Sequence, residues 1–263
     1  MSESSIYRWH EGELLLVDYC DLKYCDRSDT RIAVADSWLV TGGSTLALDL
    51  HRQRFFDVAG ALIDDLDRFW STSIAVIPRT GDWFPRVEVQ SRGGAALAVF
   101  RLRTAPALTR SVRLASHRGA DPRTSPRTKG PDTAALLRIR TEARAVGADE
   151  AVIISPDGFV VEGAYSGILW WRGDTLCAPS LDLDRVQSVT ARSVIALATA
   201  LGIEVHYESI VPAELENAEI WALSALHGIR IVTAWIDGPA PAELPGRLAT
   251  WRSRLDRLRQ PLS

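Results

Sequence analysis

The sequence predicts a two-domain protein of the α/β class, with α+β organisation. Short strands joined by hairpin turns recur in both halves of the chain, and each half also contains helical stretches. Between the halves, residues 116–131 are rich in Pro, Arg, Thr, Gly and Ser and lack hydrophobic periodicity, which is typical of an interdomain connection. We therefore predict an N-terminal α+β domain over residues 1–118, a linker over 119–130 and a C-terminal domain over 131–263.

The first half is predicted to be an antiparallel sheet with a helix packed on it. Thr-Gly-Gly-Ser at 41–44 and Arg-Gly-Gly at 92–94 are hairpin signals between apolar, β-forming runs. A helix is expected to follow the first hairpin, over about Asp49–Phe69. The predicted strands are Arg31–Val40, Thr45–Leu48, Val87–Gln90 and Ala95–Arg103.

The second half is predicted to be rich in strands, with two or three helices. Leu136, Ile139, Ala143 and Val146 recur at steps of three and four, which indicates an amphipathic helix that ends at Gly147, with Asp132 as its N-cap. The remaining predicted elements are two hairpins, Ala151–Glu162 and Ile168–Ala178, a helix over Thr190–Leu201, and strands Glu204–Ile210, Ile220–Ser224 and Ile229–Ile236.

Composition favours a small-molecule partner. The 263 residues carry a net charge of -3 with scattered charges, so no nucleic-acid or anionic-membrane footprint is present. The longest apolar run, Val194–Leu201, is far shorter than the ~20 residues that span a bilayer, and residues 1–10 are polar, so we expect a cytoplasmic protein. Cys20, Cys25 and Cys177 are too few and too unevenly spaced for a disulfide framework or a zinc site, and no metal is expected.

Lys129 stands out because Lys23 is the only other lysine in a chain that otherwise uses arginine. A desolvated lysine can lose its proton and attack a carbonyl to form a Schiff base, whereas arginine stays protonated. The alternative is that lysine scarcity reflects a GC-rich genome and that Lys129 is a solvated linker charge. Composition alone leaves both interpretations open.

Four short motifs carry a resemblance to a known family. They are His51–Phe55 (HRQRF), Thr128–Asp132 (TKGPD), Gly147–Ala151 (GADEA) and Gly158–Gly163 (GFVVEG). Their order, and the 33 positions from Lys129 to Glu162, resemble the core of class IV aminotransferases. The similarity extends over residues 125–238.

The resemblance implies a fold type IV homodimer, with a C-terminal pseudo-barrel, that binds pyridoxal phosphate between its domains. Lys129 would form the Schiff base and then act as the general acid/base, and Glu162 would keep the pyridine nitrogen protonated. Arg54 would bind the phosphate through a bidentate fork. Further contacts to the cofactor are expected from Val189, Thr190, Ser224 and Ala225.

Each of these assignments has an alternative. Glu162 is otherwise an exposed hairpin acid, Arg54 a surface ion pair with Asp49 or Asp57, and Thr190 a plain helix cap. His51 is interpreted as a packing residue and His227 as a loop or interface residue, because Lys129 already serves as the base.

The sequence departs from the family pattern around the substrate pocket. Asp26-Arg27-Ser28 lacks the usual glycine, and Ala35-Asp36-Ser37 replaces the end of the entrance motif. Thr104-Ala105-Pro106 replaces a "T-R-G" whose arginine binds a substrate carboxylate in some members, which leaves Arg101 and Arg103 as candidates for that role.

The predicted activity is amino-group transfer between an amino acid and a 2-oxo acid. The leading alternative is 4-amino-4-deoxychorismate lyase, since Ser224–Arg230 resembles the lyase signature, although Ser224 replaces its asparagine. A third hypothesis is a non-catalytic binding protein that has kept the fold. Bound cofactor in the purified protein would argue against the third, and product analysis separates the first two.

Overall fold

The structure, a computed structural model, describes residues 4–17 and 30–262. Its contacts divide into two compact units. The first comprises the residues up to Ala107, Thr128–Pro131 and the residues from Leu258, and the second comprises Leu108–Arg127 and Asp132–Arg257. The predicted entrance segment at 26–28, together with Lys23, Cys20 and Cys25, lies outside the described residues.

The first unit contains a five-stranded antiparallel sheet in the order β2-β1-β8-β7-β3. A smaller sheet in the same unit has the order β17-β5-β4-β6. The strands are β1 (Ser4–His10), β2 (Glu13–Leu16), β3 (Arg31–Ser37), β4 (Val40–Thr41), β5 (Ser44–Leu46), β6 (Asp82–Trp83), β7 (Arg86–Arg92), β8 (Ala95–Arg103) and β17 (Arg259–Pro261). The helices are α1 (Leu48–Ala59) and α2 (Leu66–Ala75).

The single helix predicted over Asp49–Phe69 is wrong, because α1 ends at Ala59 and α2 begins at Leu66. Gly60 follows α1 and its N–H bonds to Phe56, and two aspartates precede α2, so stop and start signals interrupt the apolar pattern. Each helix buries aromatic side chains in the apolar core of this unit, which it shares with inward residues of β7 and β8.

The second unit contains a curled, eight-stranded sheet in the order β11-β10-β9-β16-β15-β12-β13-β14. Its strands are β9 (Ser111–Ser116), β10 (Glu150–Ile154), β11 (Val160–Gly163), β12 (Gly167–Arg172), β13 (Thr175–Pro179), β14 (Val205–Glu208), β15 (Glu219–Ser224) and β16 (Gly228–Ile236). The helices are α3 (Thr133–Ala145), α4 (Val189–Ala200) and α5 (Arg247–Asp256), with a 3₁₀ turn at Pro212–Leu215.

The two units do not divide at the residues that the sequence suggested. Strand β9, placed before the boundary by the sequence, belongs to the second unit because it pairs in parallel with both β10 and β16. At the other end of the predicted linker, Thr128–Pro131 belongs to the first unit. That the units are independently folding domains stays a prediction. The mixed class, an antiparallel sheet with helices and a curled, strand-rich sheet, is as predicted.

Helix α3 follows the predicted pattern in part. Ile139 and Ala143 are buried against the sheet, whereas Val146 is exposed because the helix ends at Ala145. Asp132 precedes the helix, but its carboxylate makes no cap bond. It instead accepts hydrogen bonds from the backbone N–H groups of Thr124 and Ser125, at 2.9 Å each. This pairing closes the loop that carries residues 125–131.

No helix in residues 4–17 and 30–262 is long and apolar enough to cross a membrane.

A buried ion cluster joins β3 to α1 in the first unit. Asp36 is 1% exposed and accepts Arg54 Nε at 2.7 Å and Nη2 at 2.8 Å. His51 Nδ1 lies 2.8 Å from the same carboxylate. Burial alone would raise the pKa of Asp36, but Arg54 and His51 hold it well below its usual range. Asp36 is therefore ionised, and its carboxylate oxygens can only accept hydrogen bonds. We accordingly assign a proton to Nδ1 of His51, which donates it to Asp36.

The turn between β15 and β16 contains a histidine that stays neutral. Thr109 N–H donates to Nδ1 of His227 at 3.2 Å, so this nitrogen carries no proton. Burial and the positive charges of Arg230, Arg140 and Arg252 lower the pKa of His227 to about 4. Protonation would break the hydrogen bond and add a fourth positive charge to this cluster.

Replacing Asp36 with Asn should lower the free energy of unfolding by about 3 kcal/mol, because Arg54 loses its buried counter-ion. The measurement is urea denaturation at pH 7. Asp57→Asn, on the exposed side of α1, is the matched control and should change stability by less than about 0.5 kcal/mol. Equal, small losses in both variants would contradict a structural role for the ion cluster.

Acidification between about pH 6.5 and 4 should destabilise the protein partly through His227. The unfolded histidine binds a proton near its ordinary pKa of about 6.5, whereas the folded one does so only near 4. The unfolded state therefore binds more protons in this window, and the unfolding free energy falls as pH falls. In His227→Gln the fall should be shallower, as urea titrations at several pH values will show. His206→Gln, which changes an exposed histidine side chain, is the matched control.

Candidate active site

Lys129 is fixed against the edge strand of the first unit. Ala35 N–H donates to the carbonyl oxygen of Lys129 at 2.8 Å. The next residue, Gly130, has φ of 129° and packs so closely that a Cβ would lie 2.7 Å from Ala35 N and 2.9 Å from Val34 C. Only glycine fits there without displacing β3. The backbone around Lys129 is thus held at one register position on the strand.

The structure brings Lys129 together with the Asp36 cluster on α1 and β3. Asp36 directly follows Ala35, the residue that bonds to Lys129. Burial lowers the pKa of His51, and the nearby charges of Arg54 and Lys129 lower it further, against the opposing effect of Asp36. The predicted lysine and the predicted phosphate ligand therefore share one electrostatic environment within the first unit. Arg54 keeps an exposed fraction of 14% in its side chain.

Arg101 and Arg103, the two candidates for binding the substrate carboxylate, differ in whether a carboxylate pairs with them. Arg101 and Arg86 stand opposite each other on β8 and β7, and both pair with buried Glu88, at 2.7 and 2.6 Å. Arg103 donates from Nε to the Phe84 carbonyl at 3.1 Å, and among the described residues it pairs with no carboxylate. Burial and repulsion by Arg86 and Arg101 lower the pKa of Arg103 to about 10. Of the two, Arg103 is the better receptor for an anion.

Glu162 lies in the second unit, at the end of β11, and is 7% exposed. The alternative of an exposed hairpin acid is therefore wrong. One carboxylate oxygen, Oε1, pairs with Nη1 of Arg123 and accepts Val186 N–H at 3.3 Å. Two donors on one oxygen restrict the side chain to one orientation.

The first turn of α4 lies beside the end of β15. Ser188 is the cap of this helix and accepts Ala191 N–H at 3.3 Å, so the interpretation of Thr190 as a plain cap is wrong. Gly167, which pairs with Leu223 on β15, packs against Ser188, where a Cβ would lie 3.1 Å from the serine Cβ.

Val189 and Thr190 are buried in this first turn, and the β15–β16 turn carries Ser224 and Ala225. The hydroxyl of Ser224 accepts the N–H of His227 at 3.2 Å. Backbone N–H groups of a helix start and a nearby turn are thus collected at one edge of the second unit, which is an arrangement that binds phosphate well.

Sequence reasoning missed three residues of these clusters. Asp36 stood in a motif that looked damaged, His51 was interpreted as packing, and Arg123 lay in the predicted linker. His51 had a signal, because it lies in the Arg54 motif, whereas Asp36 lies 18 positions before Arg54 and had none. Nothing local distinguishes Arg123 from the exposed arginines around it, because its burial follows from the path of the loop.

The donor set fits pyridoxal phosphate. A lysine suits its aldehyde, a buried carboxylate suits the ring nitrogen, and a guanidinium with a helix start suits the phosphate dianion. The first unit holds Lys129 and Arg54, and the second holds Glu162 and the start of α4.

Comparison with known proteins identifies the family of this chain. The family model for amino-transferase class IV matches residues 33–235. The chain is 30% identical over 81 residues to a probable branched-chain-amino-acid aminotransferase of Rickettsia felis, covering 31% of this chain and 28% of that one. It is 33% identical over 89 residues to aminodeoxychorismate lyase of Bacillus subtilis, covering 32% and 30%. The matched segments thus span less than a third of either relative.

Solved structures resemble the whole chain at lower identity. A branched-chain aminotransferase from Thermoproteus uzoniensis with norvaline has a TM-score of 0.80 at 21% identity, covering 98% of this chain and 100% of that one. A hypothetical aminotransferase from Mycobacterium tuberculosis in its PLP-bound form has 0.77 at 20% identity, covering 97% and 98%. These likenesses establish the type IV fold. The family match extends over most of the chain, which therefore belongs to the class IV aminotransferases, a family of pyridoxal-phosphate enzymes.

Proposed function

We propose that this protein is an aminotransferase that moves an amino group between an amino acid and a 2-oxo acid. The observation that carries the proposal is the fixing of Lys129 on β3, next to the Asp36, His51 and Arg54 cluster. The segment similar to a probable branched-chain-amino-acid aminotransferase supports an amino acid substrate. The proposed assembly is a homodimer, as the resemblance to the family implies.

Lys129 is proposed to hold the cofactor covalently through Nζ. When bound, pyridoxal phosphate supplies an electrophilic carbonyl carbon and an aromatic ring that accepts electron density. Nζ of Lys129 is also the group that would take the proton from the substrate α carbon and return it.

Arg54 and the start of α4 are proposed to bind the phosphate. Asp36 fixes the guanidinium plane through two hydrogen bonds, so that the arginine is oriented before a ligand arrives. Val189 and Thr190 offer first-turn donors, and Ser224 and Ala225 offer a hydroxyl and an amide. Fixed donors of this kind cost little ordering entropy on binding.

Glu162 is proposed to contact the ring nitrogen of the cofactor, and Arg103 is proposed to bind the carboxylate of the substrate. Glu162, as a carboxylate, would hold a proton on the ring nitrogen, which a neutral side chain cannot do. Arg103 would bind the substrate carboxylate, because it interacts with Glu88 only through its charge, whereas Arg101 and Arg86 pair with Glu88 directly.

A second candidate function is 4-amino-4-deoxychorismate lyase, which releases pyruvate and 4-aminobenzoate. The segment similar to aminodeoxychorismate lyase of Bacillus subtilis favours it. Ser224 in place of the signature asparagine weighs against it, since a hydroxyl supplies one hydrogen-bond donor where an amide supplies two. The same lysine serves both reactions, so the products distinguish them.

The purified protein with pyridoxal phosphate should convert 2-oxoglutarate and at least one amino acid of a panel into glutamate and the matching 2-oxo acid. Lys129→Ala should abolish the transfer, because its side chain can neither hold the cofactor nor move the proton. Mass spectrometry of the products is the measurement. Release of 4-aminobenzoate from aminodeoxychorismate, without amino transfer, would replace the first proposal with the second.

Borohydride reduction and peptide mapping check the covalent site independently of activity. The label is expected on the peptide that contains Lys129. A label on Lys23, the only other lysine, would overturn the assignment of the cofactor lysine.

Cofactor affinity should fall in the order Arg, Lys, Ala at position 54. Lysine keeps the charge but loses the fork, and alanine loses both, with each lost charge-assisted contact costing roughly 1.5 to 3 kcal/mol. Titration of each apo-variant with pyridoxal phosphate and with pyridoxal is the measurement, and pyridoxal should bind all three about equally. Equal weakening for both ligands would mean that Arg54 acts only through Asp36 and the fold.

A further inference from the structure

The side chain of Arg123 is deeply buried and contacts Glu162, a residue of the proposed site. Its side chain is 2% exposed, although it lies in the Pro- and Arg-rich segment that follows β9. Asp121 accepts its Nε at 2.9 Å and its Nη2 at 2.6 Å, and the Asp184 carbonyl accepts Nη2 at 2.9 Å. Nη1, at the far end of the fork, donates to Glu162.

The guanidinium of Arg123 therefore contacts two different carboxylates. Its Nε and Nη2 edge is held by Asp121, and its Nη1 end faces the Glu162 carboxylate. Asp121 and Glu162 hold the pKa of Arg123 above its usual value despite burial. A rigid planar group held along one edge fixes the position of the carboxylate at its other end, which a flexible lysine would do less well.

A second arginine near Glu162 makes its hydrogen bonds to other groups. Arg185 is close enough for its charge to interact with Glu162, but its own hydrogen bonds go to the carbonyls of Pro179, Ser180 and Leu183. Glu162 also accepts the backbone N–H of Val186, which is a neutral donor. Asp132 contributes only a longer-range interaction with Arg123.

We propose that Arg123 is a positioning residue for Glu162, which it keeps ionised and correctly oriented so that a proton stays on the ring nitrogen of the cofactor. The inference rests on the proposed role of Glu162 as the partner of that nitrogen. The charge of Arg123 lies nearer to Glu162 than to the ring, so it lowers the affinity of the carboxylate for a proton more than that of the ring nitrogen.

Without Arg123, the buried Glu162 carboxylate would lose a direct ion pair, and burial favours the neutral acid. The shared proton would then move from the ring nitrogen to Glu162. The ring would become a weaker electron acceptor, and proton abstraction from the substrate would slow. This consequence separates a positioning role from a purely structural one, because a structural strut has no effect on where the proton lies.

The test is ¹⁵N NMR of the protein loaded with pyridoxal phosphate labelled at the ring nitrogen. The wild type should show the shift of a protonated ring nitrogen at pH 7.5. Arg123→Met should show a shift towards neutral pyridine and a single-turnover rate at least 10-fold lower, whereas Arg123→Lys should recover part of both. Arg127→Met is the matched control, since this exposed neighbour pairs with Asp184, and it should match the wild type.

Glu162→Gln distinguishes failure of this inference from failure of the assigned role of Glu162. If Glu162→Gln leaves the ¹⁵N shift of the wild type unchanged, Glu162 is not the ring partner and the underlying assignment fails. If Glu162→Gln changes the shift but Arg123→Met does not, Arg123 is only a strut and the inference is overturned. If Arg123→Met does not fold, Arg123→Lys and Asp121→Asn replace it in the test. A wild-type ¹⁵N shift and a wild-type single-turnover rate in both of these variants would overturn the proposal.

Discussion

The buried carboxylate of Asp36 is the interaction on which the arrangement of the first unit depends. Asp36 lies on the edge strand β3 and accepts hydrogen bonds from the guanidinium of Arg54 and from the ring of His51. It directly follows Ala35, whose N–H donates to the backbone carbonyl of Lys129. An ionised group at this depth is tolerated only when its lone pairs are filled by charged or polar donors. The same constraint that holds α1 to the sheet therefore orients the arginine and limits the positions open to the lysine.

The second unit also contains a buried carboxylate that is paired with an arginine. Glu162 is buried at the end of β11 and is compensated by Arg123, which reaches it from a loop without regular secondary structure. In each unit a buried carboxylate meets an arginine whose plane is fixed by a carboxylate, which is Asp36 itself for Arg54 and Asp121 for Arg123. Charges held in this way are oriented before any ligand is present, so binding does not have to meet the cost of ordering them.

Much of the fold could be predicted because it depends on local patterns. The hairpins at Ser155–Gly158 and Arg172–Asp174 and the helix that ends before Gly147 follow from alternation, helical periodicity and turn residues. The prediction failed where an element depends on distant partners. Strand β9 has no strong signal of its own and exists because β10 and β16 pair with it from either side.

The sequence by itself determined the fold class, the family, and the candidate residues Lys129, Glu162 and Arg54, because motif order and spacing are linear properties. Only the tertiary structure decided which of these charges are balanced and by what. Asp36 lies 18 positions from Arg54, and Arg123 lies 39 positions from Glu162. Burial and hydrogen bonding at such separations depend on how strands and loops pack in three dimensions, and no periodicity along the chain records them.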